Sequence, residues 1–267
     1  LLDEGALAPS YGGVVVDEAQ DMGVEFMTLI GKLAATNEYE KQHLFIVGDA
    51  HQRIYGRRFS LSKCGIDIRG RGRRLKINYR TTDETRRYAV ELLTGETDDL
   101  DGGTDDLKGY RSLSTGEPPV EKTFKSIEEE VNWITEEINA LQAQGVTLRE
   151  IVVTAANNRL VGVYKSKIAE KKLDVQLVTA RKSEHDLPDG IRLATIHRVK
   201  GLEFRYVFMA GMNDQAFSWV DKDYADKAAA RKAESQCRSL LHVAATRAQK
   251  QLFLSAPTAK LARWFKS

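Results

Sequence analysis

Apolar and polar positions follow two rhythms along this chain. Val14-Val15-Val16 comes directly after Gly12-Gly13 and is closed by Asp17-Glu18. An unbroken apolar run between turn residues and acids predicts a strand buried on both faces, as in a parallel sheet flanked by helices. Residues 22–36 then carry Met22, Phe26, Leu29, Ile30 and Leu33 at the spacing of one helical face, and Leu44-Phe45-Ile46-Val47 repeats the buried-strand pattern before Gly48-Asp49. Strand, helix and strand, with polar groups at each strand's carboxyl end, predict a βαβ unit that holds a site. Leu75-Lys76-Ile77 reads as a short strand delivering Asn78-Tyr79-Arg80, with Thr81 or Thr82 capping a helix that runs to Leu93.

The second half repeats the alternation. Strands are predicted at 120–124, 151–154, 175–179, 191–195, 206–209 and 252–254. Helices are predicted from Ile127 (with Val131, Ile134, Ile138 and Leu141 on one stripe, closed by Gly145), over 157–172, 224–246 and 258–265. The chain therefore reads as α/β, with two domains built on largely parallel sheets. Residues 1–93 form a first, incomplete domain, 94–119 a linker or long loop rich in Gly, Asp and Ser, and 120–267 a second domain.

Composition narrows the class without naming a partner. The 267 residues are 42% hydrophobic and 29% charged, which suits packed globular cores. The net charge of +2 conceals an uneven distribution. Nine Lys or Arg fall between Arg53 and Lys76 against the single acid Asp67, a block suited to nucleic acid or nucleotide phosphate. Six acids and no base lie between Glu96 and Asp106, but their spacing does not fit a calcium loop. Two cysteines are too few for a disulfide framework or zinc site. No apolar run nears the roughly 18 residues of a membrane span, so a cytoplasmic location is expected. The chain opens on Leu1 and reaches its first strand at once, as expected of a portion of something longer.

The chemistry concentrates at strand ends. Asp17 and Glu18 follow a strand directly, where a carboxylate can hold Mg²⁺ through water and its neighbour can orient or deprotonate an attacking water. Gln52, a neutral amide just past the second strand, can sense a γ-phosphate or a water. Thr195 to Phe204 brings a hydroxyl, an imidazole, an ammonium and a carboxylate into one loop, and Arg247 lies near the end of a helix, where a cation is favourable. Each feature alone also has a plain structural reading: helix cap, exposed loop amide, loop salt bridge or dipole partner.

Taken in order, DEAQD, GDAHQRIY, NYRTT, TIHRVKGLEF and HVAATRA resemble motifs II to VI of the UvrD/Rep-type superfamily 1 helicases. The resemblance runs from Val14 to Ala248 and implies two RecA-like domains of the P-loop NTPase type. It implies an ATP-dependent motor moving 3′ to 5′ on single-stranded DNA or at a single/double-strand junction, with DNA repair among its settings. By that resemblance Asp17 would coordinate Mg²⁺, Glu18 would activate water, and Gln52 would sense the γ-phosphate. Arg80 and Arg247 would act as arginine fingers. Tyr79 would stack on adenine, Glu203 would bond the ribose, and Lys200 and Gly201 would complete the ATP site. Tyr55, Arg57, Arg58, Thr195 and His197 would contact the single strand.

Three departures qualify it. No phosphate loop of the form G-x-x-x-x-G-K-[ST] occurs, so the upstream part of the same polypeptide would have to supply it, and this portion alone should hydrolyse ATP poorly. Arg57 stands where relatives carry a base-stacking Trp. About 110 residues separate Arg80 from Ile191, too few for a large inserted subdomain. These departures keep two alternatives open: a nucleic-acid-dependent ATPase that remodels a complex without unwinding, and a degenerate nucleic-acid-binding module.

Overall fold

The computed structural model describes residues 11–34, 43–52, 54, 60–68, 70–93, 109–180, 183–222, 224 and 226–265. The described residues form two compact units, one ending at Leu75 and one comprising 76–93 and 110 onward. The first domain of the sequence reading ran to 93, whereas the chain divides after Leu75. Residues 76–93 join the second unit because their strand and helix pack there.

In the first unit, β1 (Val14–Val16) and β2 (Leu44–Ile46) pair in parallel, Val14 opposite Leu44, and α1 (Val24–Leu33) crosses between them. Val16, Ala19, Met27 and Ile30 pack with Leu61, Cys64 and Ile66 as its core. Of the two faces expected to be buried, the described residues cover one. Val15 is 75% exposed and Phe45 63%, because the described residues cover only the side carrying Val14, Val16, Leu44 and Ile46.

In the second unit, β3 (Ile77–Thr82) pairs in parallel with β4 (Arg111–Ser114). Asn78-Tyr79-Arg80 thus lie within a strand rather than beyond its end, and β4 falls inside the expected linker, whose residues 94–108 lie outside the described set. Thr82 caps α2 (Asp83–Glu91), accepting from the Thr85 N–H. A six-stranded parallel sheet follows: β5 (Val120–Thr123), β6 (Ile151–Ala155), β7 (Val175–Leu177), β8 (Ile191–Thr195), β9 (Phe204–Met209) and β10 (Ala248–Ala256), in the order β5-β10-β9-β6-β8-β7. Residues of α3 (Ile127–Ala143) and α4 (Asn158–Glu170) bury Ile151, Val153, Leu193 and Phe208 on one face. α5 (Lys227–Ala245) packs on β9 and β10 with α2 against it, where the His242 Nδ1 meets the Ala89 carbonyl at 2.9 Å.

The helix expected over 258–265 does not form. Its backbone donors are taken by tertiary acceptors instead: Ala262 N–H donates to the Met212 carbonyl (2.8 Å) and Arg263 N–H to Asp214 Oδ1 (3.1 Å).

Two buried polar clusters hold the second unit. Arg192, 2% exposed, donates to Glu184 Oε1 (2.6 Å) and to the carbonyls of Pro188 (2.7 Å) and Gly190 (2.9 Å), clamping that loop on β8. Glu130 on α3 is fully buried and accepts three bonds, from Tyr164 Oη (2.5 Å), Ser255 Oγ (2.6 Å) and the Gly211 N–H (2.9 Å). Gly211 holds φ +70°, and a Cβ there would stand 2.8 Å from the Tyr164 hydroxyl. Burial pushes the Glu130 carboxyl up from its ordinary value, against the lowering effect of its three donors. The folded chain therefore keeps this proton to higher pH than the unfolded chain. The stability so linked is full below the ordinary glutamate value and is lost as pH rises through the raised one.

Glu130→Ala, which orphans three donors at about 1–3 kcal/mol each, is expected to cost on the order of 3–5 kcal/mol in urea unfolding. Glu130→Gln is expected to cost less and to remove the fall in stability that wild type shows as pH rises from the ordinary glutamate value through the raised one.

Candidate functional site

The carboxyl ends of β1 and β2 lie side by side, because their parallel pairing brings Val16 level with Ile46. The ladder continues past the strands, Val47 N–H donating to the Val16 carbonyl (2.8 Å) and Ala19 N–H to the Val47 carbonyl (3.0 Å). Between these bonds the chain must turn sharply, and Glu18 does so in the left-handed region at φ 51°, ψ 40°. For a residue with a Cβ that conformation costs about 1–2 kcal/mol, and such costs cluster at functional sites. Glu18 also donates its N–H to Asp17 Oδ1 (2.8 Å), so both carboxylates share one tight turn.

A continuous polar relay runs from Glu18. The Gln20 amide donates to the Glu18 carboxylate, and its Oε1 accepts the Asp49 N–H (2.9 Å). Asp49 Oδ2 in turn accepts from Gln52 Nε2 (2.9 Å), while Oδ1 accepts the His51 N–H (2.9 Å). Buried Gln20 therefore ties the end of one strand to the end of the next, and links the water-activating candidate Glu18 to the sensor candidate Gln52. Gln20 and Asp49 were not singled out from the sequence, although both stand inside the DEAQD and GDAHQ strings. A side-chain amide at a buried strand end was the available signal. Tyr55, Arg57 and Arg58 lie outside the described residues.

Asp17 and Glu18 suit a magnesium ion that keeps most of its waters and takes its other oxygens from phosphate. Among the described residues no group of three or more His, Cys, Asp or Glu side chains could hold a metal, so the protein's share would be one or two carboxylates.

The second unit gathers the remaining candidates at two places. In the first, Arg80 Nη2 meets Glu203 Oε1 at 2.5 Å, both side chains about 40% exposed. A pair that open is worth roughly 0–1 kcal/mol. Asn78 fixes the backbone beneath it, its Oδ1 accepting the N–H groups of Arg80 (2.7 Å) and Thr81 (3.2 Å). Tyr79 projects to solvent at 77% exposure, free of steric cover for a stacking partner. Arg247 is buried instead, donating to the carbonyls of Val243 (3.0 Å) and Leu202 (3.4 Å) and to Thr246 Oγ1 (3.2 Å). Lys200 is half-buried and Gly201, at φ +80°, turns the loop that returns to β9.

In the second place, the carboxyl ends of β6, β7 and β8 open into a cavity of about 560 Å³, lined by Asn157, Asn158, Thr179, Thr195, His197 and Arg198 among others. Asn157 caps α4, accepting the Leu160 N–H (3.0 Å). Burial lowers the His197 imidazole below its ordinary value, so near neutral pH it offers a donor and an acceptor rather than a charge. Thr195 and His197 both line this cavity. The asparagines were read only as the start of a helix, though their place just past an apolar strand was a legible signal.

Comparison with known proteins finds similarity to DNA helicases. Residues 5–63 match the UvrD/REP helicase N-terminal domain and residues 167–258 the UvrD-like helicase C-terminal domain. A probable DNA helicase of Mycoplasma pneumoniae is 28% identical over 256 residues, which are 93% of this chain and 44% of that protein. The putative ATP-dependent DNA helicase YjcD of Bacillus subtilis is 35% identical over 45% of this chain and 15% of its own length. The ATP-dependent DNA helicase Rep of Escherichia coli is 41% identical over 26% of this chain and 9% of its length. The chain thus spans less than half of each of these relatives. Among solved structures, the C-terminal domain of a possible DNA helicase from Lactobacillus plantarum WCFS1 superposes with a TM-score of 0.50 over 70% of this chain and 91% of that one. At 17% identity this likeness bears on the fold alone.

Because Glu18 holds a left-handed backbone that glycine adopts without cost, Glu18→Gly is expected to unfold at a temperature no lower than wild type in calorimetry. A large loss of stability would mean that its side-chain bond to Gln20 outweighs the backbone cost.

Proposed function

Since the chain belongs with the UvrD/Rep-type DNA helicases, we propose that it is the C-terminal motor portion of an ATP-dependent helicase that moves 3′ to 5′ on single-stranded DNA. The observation that carries this reading is the relay Glu18–Gln20–Asp49–Gln52 across two adjacent strand ends. On this reading it would couple the carboxylate that activates water to the amide that registers the phosphate, a link for which a binding module has no use.

By the family resemblance, ATP would be hydrolysed at an interdomain cleft. Glu18 would take the proton of the attacking water, Gln52 would orient that water against the γ-phosphate, and Arg80 would meet the negative charge that develops there. Arg247, held by bonds to the Val243 and Leu202 carbonyls, would serve as the second arginine finger. Tyr79 would stack on the adenine and Glu203 would accept from the sugar, with Lys200 and Gly201 shaping the loop beside it. Mg²⁺ held through Asp17 would supply neutralisation of the phosphate charge. Thr195 and His197, with Tyr55, Arg57 and Arg58, would line the single-strand path, and the cavity at the ends of β6, β7 and β8 would receive part of that strand. Closure on ATP and opening after hydrolysis would advance the strand.

The phosphate loop would come from the upstream part of the polypeptide, so this portion alone would hydrolyse ATP poorly. No described helix is long and apolar enough to cross a membrane; a cytoplasmic location and a role in DNA repair complete the reading. A second reading, an ATPase that remodels a nucleic-acid complex without unwinding, is favoured by one observation. Between Arg80 and Ile191, the described elements α2, β4, β5, α3, β6, α4 and β7 all belong to one unit.

In the full-length parent, ATP hydrolysis is expected to require single-stranded DNA and to fall by about two or more orders of magnitude in Glu18→Gln. A wild-type parent that hydrolyses no ATP, with or without DNA, refutes the motor. One that hydrolyses but displaces no strand selects the remodelling reading.

A further inference from the structure

The beginnings of β9 and β10 are stapled together. The Phe204 N–H donates to the Arg247 carbonyl (3.1 Å), and Ala248 stands opposite Phe204. The next pair in register is Gln251 with Tyr206, so β10 carries one more residue than β9 across this interval. Such a bulge interrupts the ladder and re-aims a side chain, and bulges gather beside functional sites. Gln249 lies within it. Its Nε2 donates to Glu203 Oε2 (2.9 Å), while the other oxygen of the same carboxylate holds Arg80. Glu203 is therefore gripped from one side by a half-buried amide and engaged on the other by a solvent-open guanidinium.

The two contacts differ in kind. Gln249 has its backbone in β10 and gives the carboxylate a neutral hydrogen bond, whereas Arg80 gives it an ion pair. Arg80 has a backbone pinned by Asn78 but a head held at this one ion pair, open enough to exchange partners. A carboxylate oxygen that gives up a guanidinium N–H can accept a hydroxyl in its place, and the freed guanidinium can then meet a phosphate.

We propose that Gln249 is a positioning residue of the nucleotide site: it orients Glu203 so that this carboxylate parks Arg80 while no nucleotide is bound and releases it when a sugar hydroxyl takes the arginine's place. The inference rests on the motor reading above and adds a specificity to it. Arg80 becomes available to ribose-bearing triphosphates, and much less so to bare polyphosphate, which brings no hydroxyl to exchange.

The test is steady-state ATP hydrolysis by the full-length parent, with inorganic tripolyphosphate as competitor, in wild type, Gln249→Ala and Gln249→Glu. The glutamate keeps the shape but cannot donate. Both variants are expected to raise the KM for ATP about three- to tenfold, with kcat changed by less than about twofold. Inhibition by tripolyphosphate is expected to stay the same or tighten, so that discrimination between the two falls. An unmoved KM in Gln249→Glu overturns the proposal, as does an equal weakening of ATP and tripolyphosphate, which marks a general structural effect. A wild-type parent without ATP hydrolysis overturns the motor reading and this inference with it, whereas a hydrolysing parent with unmoved KM overturns this inference alone.

Discussion

Parallel pairing imposes one constraint from which the rest follows: every strand in such a sheet ends on the same side. Whatever polar residue comes next in sequence is delivered to a common edge, away from the apolar layers. In the first unit that edge receives Asp17, Glu18 and Asp49; in the second it receives Asn157, Thr179 and Thr195. The helices that connect the strands bury Val153, Leu193 and Phe208 beneath the sheet and so decide how firmly the edge is held. Chemistry and packing are separated along each strand, by its end and by its side.

The two units manage polar burial differently. Around Glu130 three donors converge on one carboxylate from α4, β10 and the turn after β9, joining layers that apolar contacts alone would let slide. Around Glu18 the groups are linked in series through buried Gln20, with Glu18 exposed and Asp49 and Gln52 half-buried. The first arrangement suits permanence. The second suits a site whose members exchange partners, and the exposed pair of Arg80 with Glu203 is of the same kind.

Much of this was legible because buried parallel strands are unbroken apolar runs with polar stops. The strands at 151–155 and 191–195 fall where the pattern puts them, as does the helix closed by Gly145. What was not legible depended on partners distant in sequence. The strand bearing Asn78, Tyr79 and Arg80 is polar and short, and exists because Ile77 and Asn78 pair with Arg111 and Ser112. The segment 258–265 has helical composition, yet Met212 and Asp214 claim its backbone donors. Exposure of Val15 and Phe45 is likewise a fact about what lies beside a strand, which no local pattern records. In the candidate site, the acids after β1 announced themselves by position. Gln249 did not, since its aim comes from a register shift between two strands.

The loop clamped by Arg192 reads, from its Ser, Glu, Asp, Pro and Gly, as a segment without order of its own. Four protein oxygens bound to one buried guanidinium make it otherwise. It joins β7 to β8, the strands that supply one wall of the large cavity. Held this way, Glu184, Leu187, Pro188 and Gly190 surrendered their conformational entropy when the protein folded. A partner that touches them meets no ordering penalty at the moment of encounter, and more of the contact energy remains as affinity.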